Sequence, residues 1–432
     1  MPAAPARRSG RSAGARGRRA GTRTGRRALG GTQTVEQRIL LTATLCLLAF
    51  GAVMVYSASS PTGVIARGGF GTGEFLRYLV FGALGLVAMH VLARRGLTLL
   101  NERMARLLLL ASLGLLLLVL VPHFGVSVNG ARRWFAVGPI QFQPSELAKL
   151  ALVLYAARYL ADNPKRVNGS RGAGPLIAPL ALVAAPSCLL IVLEPDMGTM
   201  LVIAFTIGSL LIAAGTPNRH MLLFAALAAV LVMLLVVAEP YQRARLTSFL
   251  HPWSSRSTAG FQAVQGQIAL GSGGLFGVGL GKSVQKVFYL PEAQTDFILA
   301  VIGEELGVMG IGLVVVLYGM IAYAGLRTAR RAAGRYAKLL AAGLTSLILC
   351  QGILNIFVVL GLAPLTGVPL PFISYAPTNL CVMLAAVGLL LNIAQPGARR
   401  LRAVEGVRSA RTPDRDRGRR DRRPRRPGPG GR

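Results

Sequence analysis

The sequence predicts an all-α polytopic membrane protein with about ten transmembrane helices and a large extracytoplasmic loop between helices 7 and 8. Of its 432 residues, 53% are hydrophobic and only 15% are charged, which excludes an ordinary soluble protein. The apolar residues form runs of membrane-spanning length, and the basic residues gather in the tails and in alternate connections. Together these observations indicate a bundle of spanning helices with cytoplasmic tails.

Ten apolar runs are candidates for spanning helices, because about 20 apolar residues in a helix cross a hydrocarbon core about 30 Å thick. They lie at residues 39–58, 77–93, 105–122, 146–161, 175–193, 198–214, 221–238, 297–325, 339–361 and 378–394. The second and fourth are the weakest, being short or carrying Lys149. The first is expected to span rather than to be a cleaved signal, since its basic N-terminal region is too long.

The distribution of Lys and Arg tests this count independently, because basic residues near helix ends are retained on the cytoplasmic side. With both termini inside, the cytoplasmic loops hold 14 basic residues and the tails hold 24, whereas the outward segments hold nine. A missed or invented helix would invert every later loop and destroy this asymmetry. We therefore predict ten spans with both termini in the cytoplasm.

The two ends of the chain differ from the membrane domain at 39–394. Residues 1–38 hold ten Arg and one acid, and residues 395–432 hold fourteen Arg and four acids. These low-complexity segments cannot bury enough apolar surface to fold, so they are predicted to be disordered cytoplasmic tails. Two interpretations of the basic tails stay open: they bind anionic lipid headgroups, or they only keep the termini on the cytoplasmic side. No nucleic-acid partner is predicted.

The outward face carries the segments in which function is expected. The longest, residues 239–296, contains six closely spaced glycines, and long connections without a function are uncommon. Residues 123–145 combine Arg132 and Arg133 with aromatic side chains, and residues 363–377 are rich in proline. No tandem or inverted repeat is evident, which counts against the common transporter architectures.

Charged residues in or beside spanning helices are costly unless they are paired or used. Glu146 precedes Lys149 by three residues, so the two share a helix face and can neutralise each other. The alternative is that Lys149 lines a polar cavity that reaches an anionic headgroup. Ser145, which follows Pro144, is a candidate helix cap.

Glu194 and Asp196 bracket Pro195 at the outward mouth between the fifth and sixth spans. Acids in this setting are often turn formers and helix caps, and we expect that role for one of the two. The other is a candidate for holding a cation or orienting an arginine.

Asp296 lies where the polar segment 239–296 enters a long apolar helix. Partial burial there would raise the pKa of its carboxyl toward the range useful for a general base. Spacing alone leaves a helix N-cap as the alternative. Glu304 and Glu305 follow about two turns deeper in the same helix and need partners or a role.

Residues 367–375 form a Pro-bracketed segment before the last helix. Proline breaks and aims the chain, and non-helical backbone near the membrane is tolerated where it lines a cavity. Ser374 is therefore a candidate substrate contact. The four Cys and four His are scattered, so no metal site is predicted.

Seven motifs occur in a characteristic order along the chain. They are Asn-Gly-Ala-Arg-Arg-Trp at 129–134, Phe-Gln-Pro-Ser-Glu-Leu-Ala-Lys at 142–149, Glu-Pro-Asp-Met-Gly-Thr at 194–199, Gly-Gly-Leu-Phe-Gly-Val-Gly-Leu-Gly at 273–281, Leu-Pro-Glu-Ala-Gln-Thr-Asp-Phe-Ile at 290–298, Ile-Gly-Glu-Glu-Leu-Gly at 302–307 and Pro-Leu-Pro-Phe-Ile-Ser-Tyr at 369–375. Through them the chain, from about residue 36 to 396, resembles the SEDS family of FtsW and RodA proteins. Residues 241–253 are more similar to the FtsW branch.

The resemblance implies the SEDS fold and a peptidoglycan glycosyltransferase that polymerises lipid II outside the bacterial inner membrane during cell division. The implied partners are lipid II, the nascent glycan strand, the membrane, a class B penicillin-binding protein and other division proteins. The division septum is the implied location. The essential aspartate of the family falls on Asp296.

The implied chemistry is one inverting displacement on an α-linked sugar pyrophosphate. It needs a base for the acceptor hydroxyl, which Asp296 suits, and positive charge for the leaving pyrophosphate. The outward candidates for that charge are Arg132, Arg133, Arg243, Arg245, Lys282 and Lys286. No cofactor is certain, and a divalent cation, Mg²⁺ or Mn²⁺, could share the role.

The chain departs from the family pattern after Tyr375, where Ala376-Pro377-Thr378-Asn379 replaces the usual Gly-Gly-Ser. Pro377 lacks a backbone N–H donor, so the start of the last helix is expected to differ from that of the family. Any close approach of substrate that the family glycines allow is then also in question. Two other functions stay open on sequence alone. A flippase for lipid-linked precursor is suggested by Lys149 and Glu304, and a non-enzymatic division scaffold by the tails and the changed segment.

Overall fold

The computed structural model describes residues 33–67, 72–128, 131–137, 140–164, 167, 174–258, 260–287 and 289–395. Apart from residues 33–38 and 395, the two predicted tails lie outside the described residues. The prediction that they are disordered therefore stays a prediction.

Twelve helices form the described part of the chain, and ten of them match the ten predicted spans. These ten are α1 Val35–Arg67, α2 Gly73–Leu99, α3 Glu102–Leu120, α4 Pro144–Asp162, α5 Gly174–Leu193, α6 Met197–Ala213, α7 Asn218–Ala238, α10 Ile298–Arg331, α11 Arg335–Val359 and α12 Pro377–Ile393. Six of them, α1, α2, α3, α7, α10 and α11, are long and apolar enough to cross a membrane. The predicted all-α membrane fold is confirmed.

The connection between the seventh and eighth predicted spans is structured rather than a simple loop. It contains helices α8, Pro240–Leu250, and α9, Phe261–Gly273. A small antiparallel sheet, which the sequence did not predict, precedes α4 in the order β1 Val126–Val128, β2 Ala131–Val137 and β3 Ile140–Phe142. Both elements belong to the segments that the charge pattern assigned to the outward face.

Helix α11 lies at the centre of the bundle, where it packs against α4, α6 and α10. Helix α12 packs along α2, and α1 packs along α10. Helix α7 instead exposes most of its large apolar side chains, among them Leu222, Val230 and Met233. An apolar surface of this kind fits contact with lipid rather than with water.

Helix α10 is interrupted at Gly307, which has a φ of 66°. The glycine-rich segment 274–279 occupies the gap and supplies backbone bonds that the helix lacks. The amides of Val278 and Gly279 donate to the carbonyls of Glu304 and Glu305, at 2.9 and 3.0 Å. In return, the amides of residues 308 and 309 donate to the carbonyls of residues 274 and 275. The break therefore leaves these buried backbone groups satisfied, as a membrane segment requires.

The replaced family residues at the start of α12 are accommodated. Pro377 occupies the first turn of the helix, where its missing N–H would have had no helical partner. Thr378 accepts a bond from the amide of Gln143 at 3.1 Å, and Asn379 donates to the Glu146 carboxylate at 2.6 Å. The changed segment thus fastens α12 to α4.

Two predicted caps differ from the structure. The N-cap of α4 is Gln143, so Ser145 lies inside the helix, where its buried hydroxyl has no hydrogen-bond partner among the described residues. The N-cap of α10 is Phe297 and makes no side-chain capping bond. The Asp296 carboxylate therefore does not cap α10, and the helix-cap alternative for it is wrong.

Candidate active site

The Asp296 side chain is half-buried at the point where α10 begins. Its Oδ1 accepts hydrogen bonds from Gln262 Nε2 of α9 at 3.4 Å and from Thr295 Oγ1 at 3.3 Å. Both bonds are long for their type. These two weak hydrogen bonds orient the carboxylate, and neither is strong enough to prevent it from binding a proton.

The surroundings of Asp296 tune its carboxyl for proton transfer near neutral pH. The pKa of Asp296 is raised to about 7, mainly by burial and next by the nearby Glu292, against the lowering effects of Arg245 and of the hydrogen bond from Thr295. A general base works best when its pKa lies near the operating pH. The predicted elevation of the Asp296 pKa therefore has a defined physical cause.

Arg245 of α8 and Gly367 meet Asp296 at one place. The Arg245 guanidinium stacks 4.5 Å from the centre of the Tyr241 ring and donates to the Tyr241 hydroxyl and to the carbonyl of Leu365, at 2.6 and 3.1 Å. Gly367 has a φ of 70°, and a Cβ at this position would lie 3.8 Å from Asp296 Oδ2 and 3.9 Å from Arg245 Nη1. Glycine here keeps open the space between an anionic and a cationic group.

The segment that carries Gly367 is fixed by side chains from the helices around it. Tyr318 of α10 donates to the carbonyl of Pro371, and Tyr78 of α2 donates to that of Phe372, both at 2.6 Å. The buried Ser374 hydroxyl accepts from the amide of Leu370 at 2.8 Å. The Ser374 hydroxyl therefore stabilises the fold of this segment, and it is not accessible to a substrate in this structure.

The turn between α5 and α6 contains the two acids singled out by sequence. Asp196 caps α6, since it accepts from the amide of Thr199 at 3.1 Å, and it also accepts from Gln143 Nε2 at 3.1 Å. Glu194 is fully buried, and its two carboxyl oxygens have no hydrogen-bond partner among the described residues. The pKa of Glu194 is raised to about 9, mainly by burial and next by the charge of Asp196, against the lowering effect of Arg133. The Glu194 carboxyl is thus neutral at physiological pH.

The outward basic residues differ in their exposure and in their partners. Arg132, Arg243 and Lys282 have exposed side chains without a hydrogen bond or ion pair among the described residues. Arg133 instead donates to the carbonyls of Glu194 and Pro195, which ties strand β2 to the α5–α6 turn. Among these candidates, Arg245 is the one whose charge acts directly on the Asp296 carboxyl.

Lys286 and Lys149 are buried in ion pairs. Lys286 Nζ lies 2.7 Å from Glu305 and 3.0 Å from the Ser57 hydroxyl. Lys149 Nζ lies 2.8 Å from Glu146 and donates to Gln351 Oε1 at 2.7 Å. Of the two readings left open for Lys149, the structure thus shows the pairing with Glu146, and neither ammonium group is exposed to a substrate.

The two remaining helix acids also have partners. Glu304 accepts from the Ser283 hydroxyl and from the amide of Val284, the latter at 3.0 Å. Glu305 is paired with Lys286. In the described part of the chain, no three His, Cys, Asp or Glu side chains converge to hold a metal ion.

Sequence reasoning missed Gln262, Asn355 and Gly367 as parts of the site. Asn355 donates both to the carbonyl of Asp296 and to that of Val368. An amide inside an apolar helix is a usable signal, because such a group is costly unless it is used. Gly367 lay within a motif that was recognised, but nothing in the sequence showed that its missing side chain faces Asp296.

Comparison with known proteins places the chain among cell-division and cell-wall proteins. A family model described as "Cell cycle protein", FTSW_RODA_SPOVE, matches residues 37–398. Stage V sporulation protein E of Bacillus subtilis is 38% identical over 365 residues, which is 84% of this chain and 98% of that protein. A probable peptidoglycan glycosyltransferase FtsW of Nitrosococcus halophilus is 41% identical over 373 residues, which is 85% of this chain and 94% of that one.

Solved structures agree with these relatives. A chain from a peptidoglycan synthase complex, solved to explain how polymerization and crosslinking are coordinated, is 30% identical and aligns with a TM-score of 0.64 over 82% of this chain and 96% of its own. The rod shape determining protein RodA of Thermus thermophilus is 30% identical, with a TM-score of 0.58 over 82% of this chain and 95% of its own. The fold and the sequence thus identify the same group of proteins.

Proposed function

Because the chain belongs to the FtsW/RodA/SpoVE family of cell cycle proteins, we propose that it is a peptidoglycan glycosyltransferase that polymerises lipid II at the outer face of the cytoplasmic membrane. The observation that carries the proposal is the convergence of Asp296, Arg245 and Gly367 beside the start of α10. A half-buried base, an oriented cation and a space between them are what an inverting sugar transfer requires. Relatives named for this activity align over most of their length.

Asp296 acts as the base in a single displacement. Its carboxylate takes the proton from the acceptor hydroxyl as that oxygen forms a bond to the anomeric carbon of the donor sugar. The bond between that carbon and the pyrophosphate oxygen breaks, and the bonding pair leaves with undecaprenyl pyrophosphate. Attack opposite the leaving group converts the α-linkage into a β-linkage. No second carboxylic acid is needed, in contrast to glycoside hydrolysis.

Positive charge near the site stabilises the leaving pyrophosphate. Arg245 is held by Tyr241 and the Leu365 carbonyl, so little reorganisation is needed when charge develops. Exposed Arg132, Arg243 and Lys282 are candidates for later contacts along the pyrophosphate and lipid. A divalent cation stays a prediction, and no step of the reaction described above involves one.

The membrane topology and the partner belong to the same proposal. The α1 end of the chain is joined to the basic end of α10, since Glu36 pairs with Arg327 at 3.0 Å and also with Arg331. These pairs bring the start of α1 to the same end of the bundle as the end of α10, as the predicted topology requires. The solved synthase complex supports a transpeptidase partner of the class B penicillin-binding type, working at the division septum.

The flippase alternative was motivated by the ten helices and by charged residues within the membrane. Lys149 and Glu304, which suggested it, both have partners within the protein, so neither offers a free charge to a translocated headgroup. The discriminating measurement is product analysis with lipid II supplied only to the outer leaflet. Polymer formed there supports the enzyme, whereas appearance of unpolymerised substrate inside would support transport. A scaffold would make no polymer even with its transpeptidase partner.

The replacement Asp296→Asn tests the assigned base. It should abolish glycan-strand synthesis from lipid II in liposomes while leaving the protein folded, because the amide is nearly isosteric and cannot accept the proton. Gel electrophoresis of the polymer and size-exclusion chromatography of the protein measure the two properties. Asp162→Asn is the matched control, since Asp162 lies at the opposite end of the bundle in an exposed pair with Arg158. Full activity of Asp296→Asn would overturn the mechanism.

A further inference from the structure

The Asn355 side chain of α11 bridges the two sides of the candidate site. Its Nδ2 donates to the carbonyl of Asp296 at 2.7 Å and to the carbonyl of Val368 at 2.8 Å. The side chain is only 1% exposed. One side-chain amide therefore links the backbone of Asp296 to the backbone of Val368, which follows Gly367.

The orientation of this amide is determined by its partners. Both groups facing Nδ2 are carbonyl oxygens, so the opposite orientation would place Asn355 Oδ1 against two other acceptors. Asn355 Oδ1 itself has no hydrogen-bond partner among the described residues. Asn355 thus acts as a double donor, and a carboxylate or an apolar side chain of similar size cannot replace it.

The bridge fixes the width of the site. Asp296 forms one side, and Gly367, whose added Cβ would lie 3.8 Å from Asp296 Oδ2, forms the other. One turn earlier on α11, Gln351 donates to the carbonyl of Pro369 at 2.9 Å and accepts from Lys149. Helix α11 therefore donates hydrogen bonds to two successive backbone carbonyls, those of Val368 and Pro369. The residue that binds Val368, Asn355, also binds the carbonyl of Asp296.

We propose that Asn355 is a positioning residue that sets the placement of the Asp296 carboxylate against Gly367 and Arg245. The proposal rests on the glycosyltransferase function proposed above, and it concerns a residue that does not touch substrate. Placement matters because a misplacement of about 1 Å can cost roughly 100-fold in rate. The alternative is that Asn355 only satisfies two buried carbonyls.

The pH dependence of Asp296 separates these two roles. The charged groups facing Asp296 are Arg245 from α8 and Glu292 from its own segment, while α9 contributes the neutral Gln262 and α11 the neutral Asn355. Loss of the bridge frees the carboxyl to reach water, which favours its charged form. The acidic limb of the activity profile then moves to lower pH, whereas a merely structural role leaves it in place.

The experiment compares Asn355→Leu and Asn355→Ser with the wild-type protein, full length and in liposomes with lipid II. We expect Asn355→Leu to lower kcat by roughly 10- to 100-fold and to shift the acidic limb to lower pH, while KM changes little. Asn355→Ser retains one hydroxyl donor and should recover part of the rate. Thr345→Val is the matched control, because Thr345 is buried on the same helix and bonds only within it, to the carbonyl of Ala341.

A second readout does not depend on turnover. Carbodiimide labels protonated carboxyl groups, so mass spectrometry of the Asp296 peptide across pH reports its titration directly. A lower labelling midpoint in Asn355→Leu, with no change in Thr345→Val, supports the positioning role. An unchanged midpoint and an unchanged acidic limb in folded Asn355 variants overturn it, even if wild-type protein makes polymer. Absence of polymer from wild-type protein would count against the function instead, and the labelling result would still decide the placement.

Discussion

The Asp296 carboxyl differs from the buried acids within α4 and α10 in the groups that face it. Glu146 and Glu305 each contact an ammonium group within 2.8 Å, and Glu304 accepts two bonds, one of them from a backbone amide. Asp296 has two long hydrogen bonds and an arginine that is already engaged with Tyr241. Because its internal partners bind it weakly, the Asp296 carboxylate can accept a proton from a substrate hydroxyl, as general base catalysis requires.

The charge of Glu292 should be visible in the pH profile. After burial, Glu292 is the strongest cause that raises the pKa of Asp296, so Glu292→Gln should lower that pKa. Because the base must be deprotonated, the acidic limb of kcat/KM should move to lower pH. The alkaline plateau should stay within about fivefold of wild type, as is typical for an exposed charge.

Polymerisation rates from lipid II between pH 5 and 9 measure this shift. Glu239→Gln is the control, because Glu239 lies before α8 and is not among the groups that shift the Asp296 pKa. A limb that moves to higher pH, or moves equally in the control, would contradict the assignment of that limb to Asp296.

At the scale of elements, the length of the apolar runs and the distribution of basic residues were sufficient for the ten predicted helices but not for their interruptions. Apolar composition predicts that α10 crosses the membrane, yet it does not show that segment 274–279 enters the break at Gly307. That contact joins residues about thirty positions apart through backbone atoms. Backbone atoms are the same in every residue type, so the sequence does not reveal such a contact. The three-stranded sheet at 126–142 was missed for a similar reason, since its strands are only three to seven residues long.

The break in α10 predicts that Gly307 cannot be replaced. Its φ of 66° disfavours any side chain, and a Cβ would lie 2.5 Å from the Gly277 amide nitrogen and from the Leu275 backbone. Gly307→Ala should therefore destabilise the protein by at least about 1–3 kcal/mol, the usual cost of such a backbone conformation. Thermal unfolding in detergent, followed by tryptophan fluorescence, measures the effect.

Gly312 provides a control on the same helix. A Cβ there meets nothing within 4 Å, and alanine is favoured over glycine within a helix by up to about 1 kcal/mol. Gly312→Ala should thus be neutral or slightly stabilising. If both variants unfold at the same temperature, the 274–279 segment does not constrain α10 as described.

At the scale of the whole molecule, polar side chains connect helices that are distant in sequence. Composition and the basic-residue pattern predicted the fold class and the number of spans, while the assignment of the base to Asp296 follows from the family resemblance and stays a prediction. They did not predict the series of contacts from Asn379 through Glu146, Lys149 and Gln351 to Pro369. These pairings depend on which helices become neighbours, and a single sequence contains only the three-residue spacing of Glu146 and Lys149.

This series predicts energetic coupling between α12 and α4. Asn379 Nδ2 donates to Glu146 Oε2 at 2.6 Å, while Lys149 holds Oε1, so Asn379→Ala leaves one buried carboxylate oxygen without its donor. A double-mutant cycle of Asn379→Ala with Glu146→Gln should give a coupling energy of about 1–2 kcal/mol, as for hydrogen bonds between membrane helices. Asn163→Ala paired with Glu146→Gln should give none, because Asn163 lies at the far end of α4 and bonds to Tyr159. Equal coupling in the two cycles, measured by thermal unfolding in detergent, would show that Asn379 does not fasten α12 to α4.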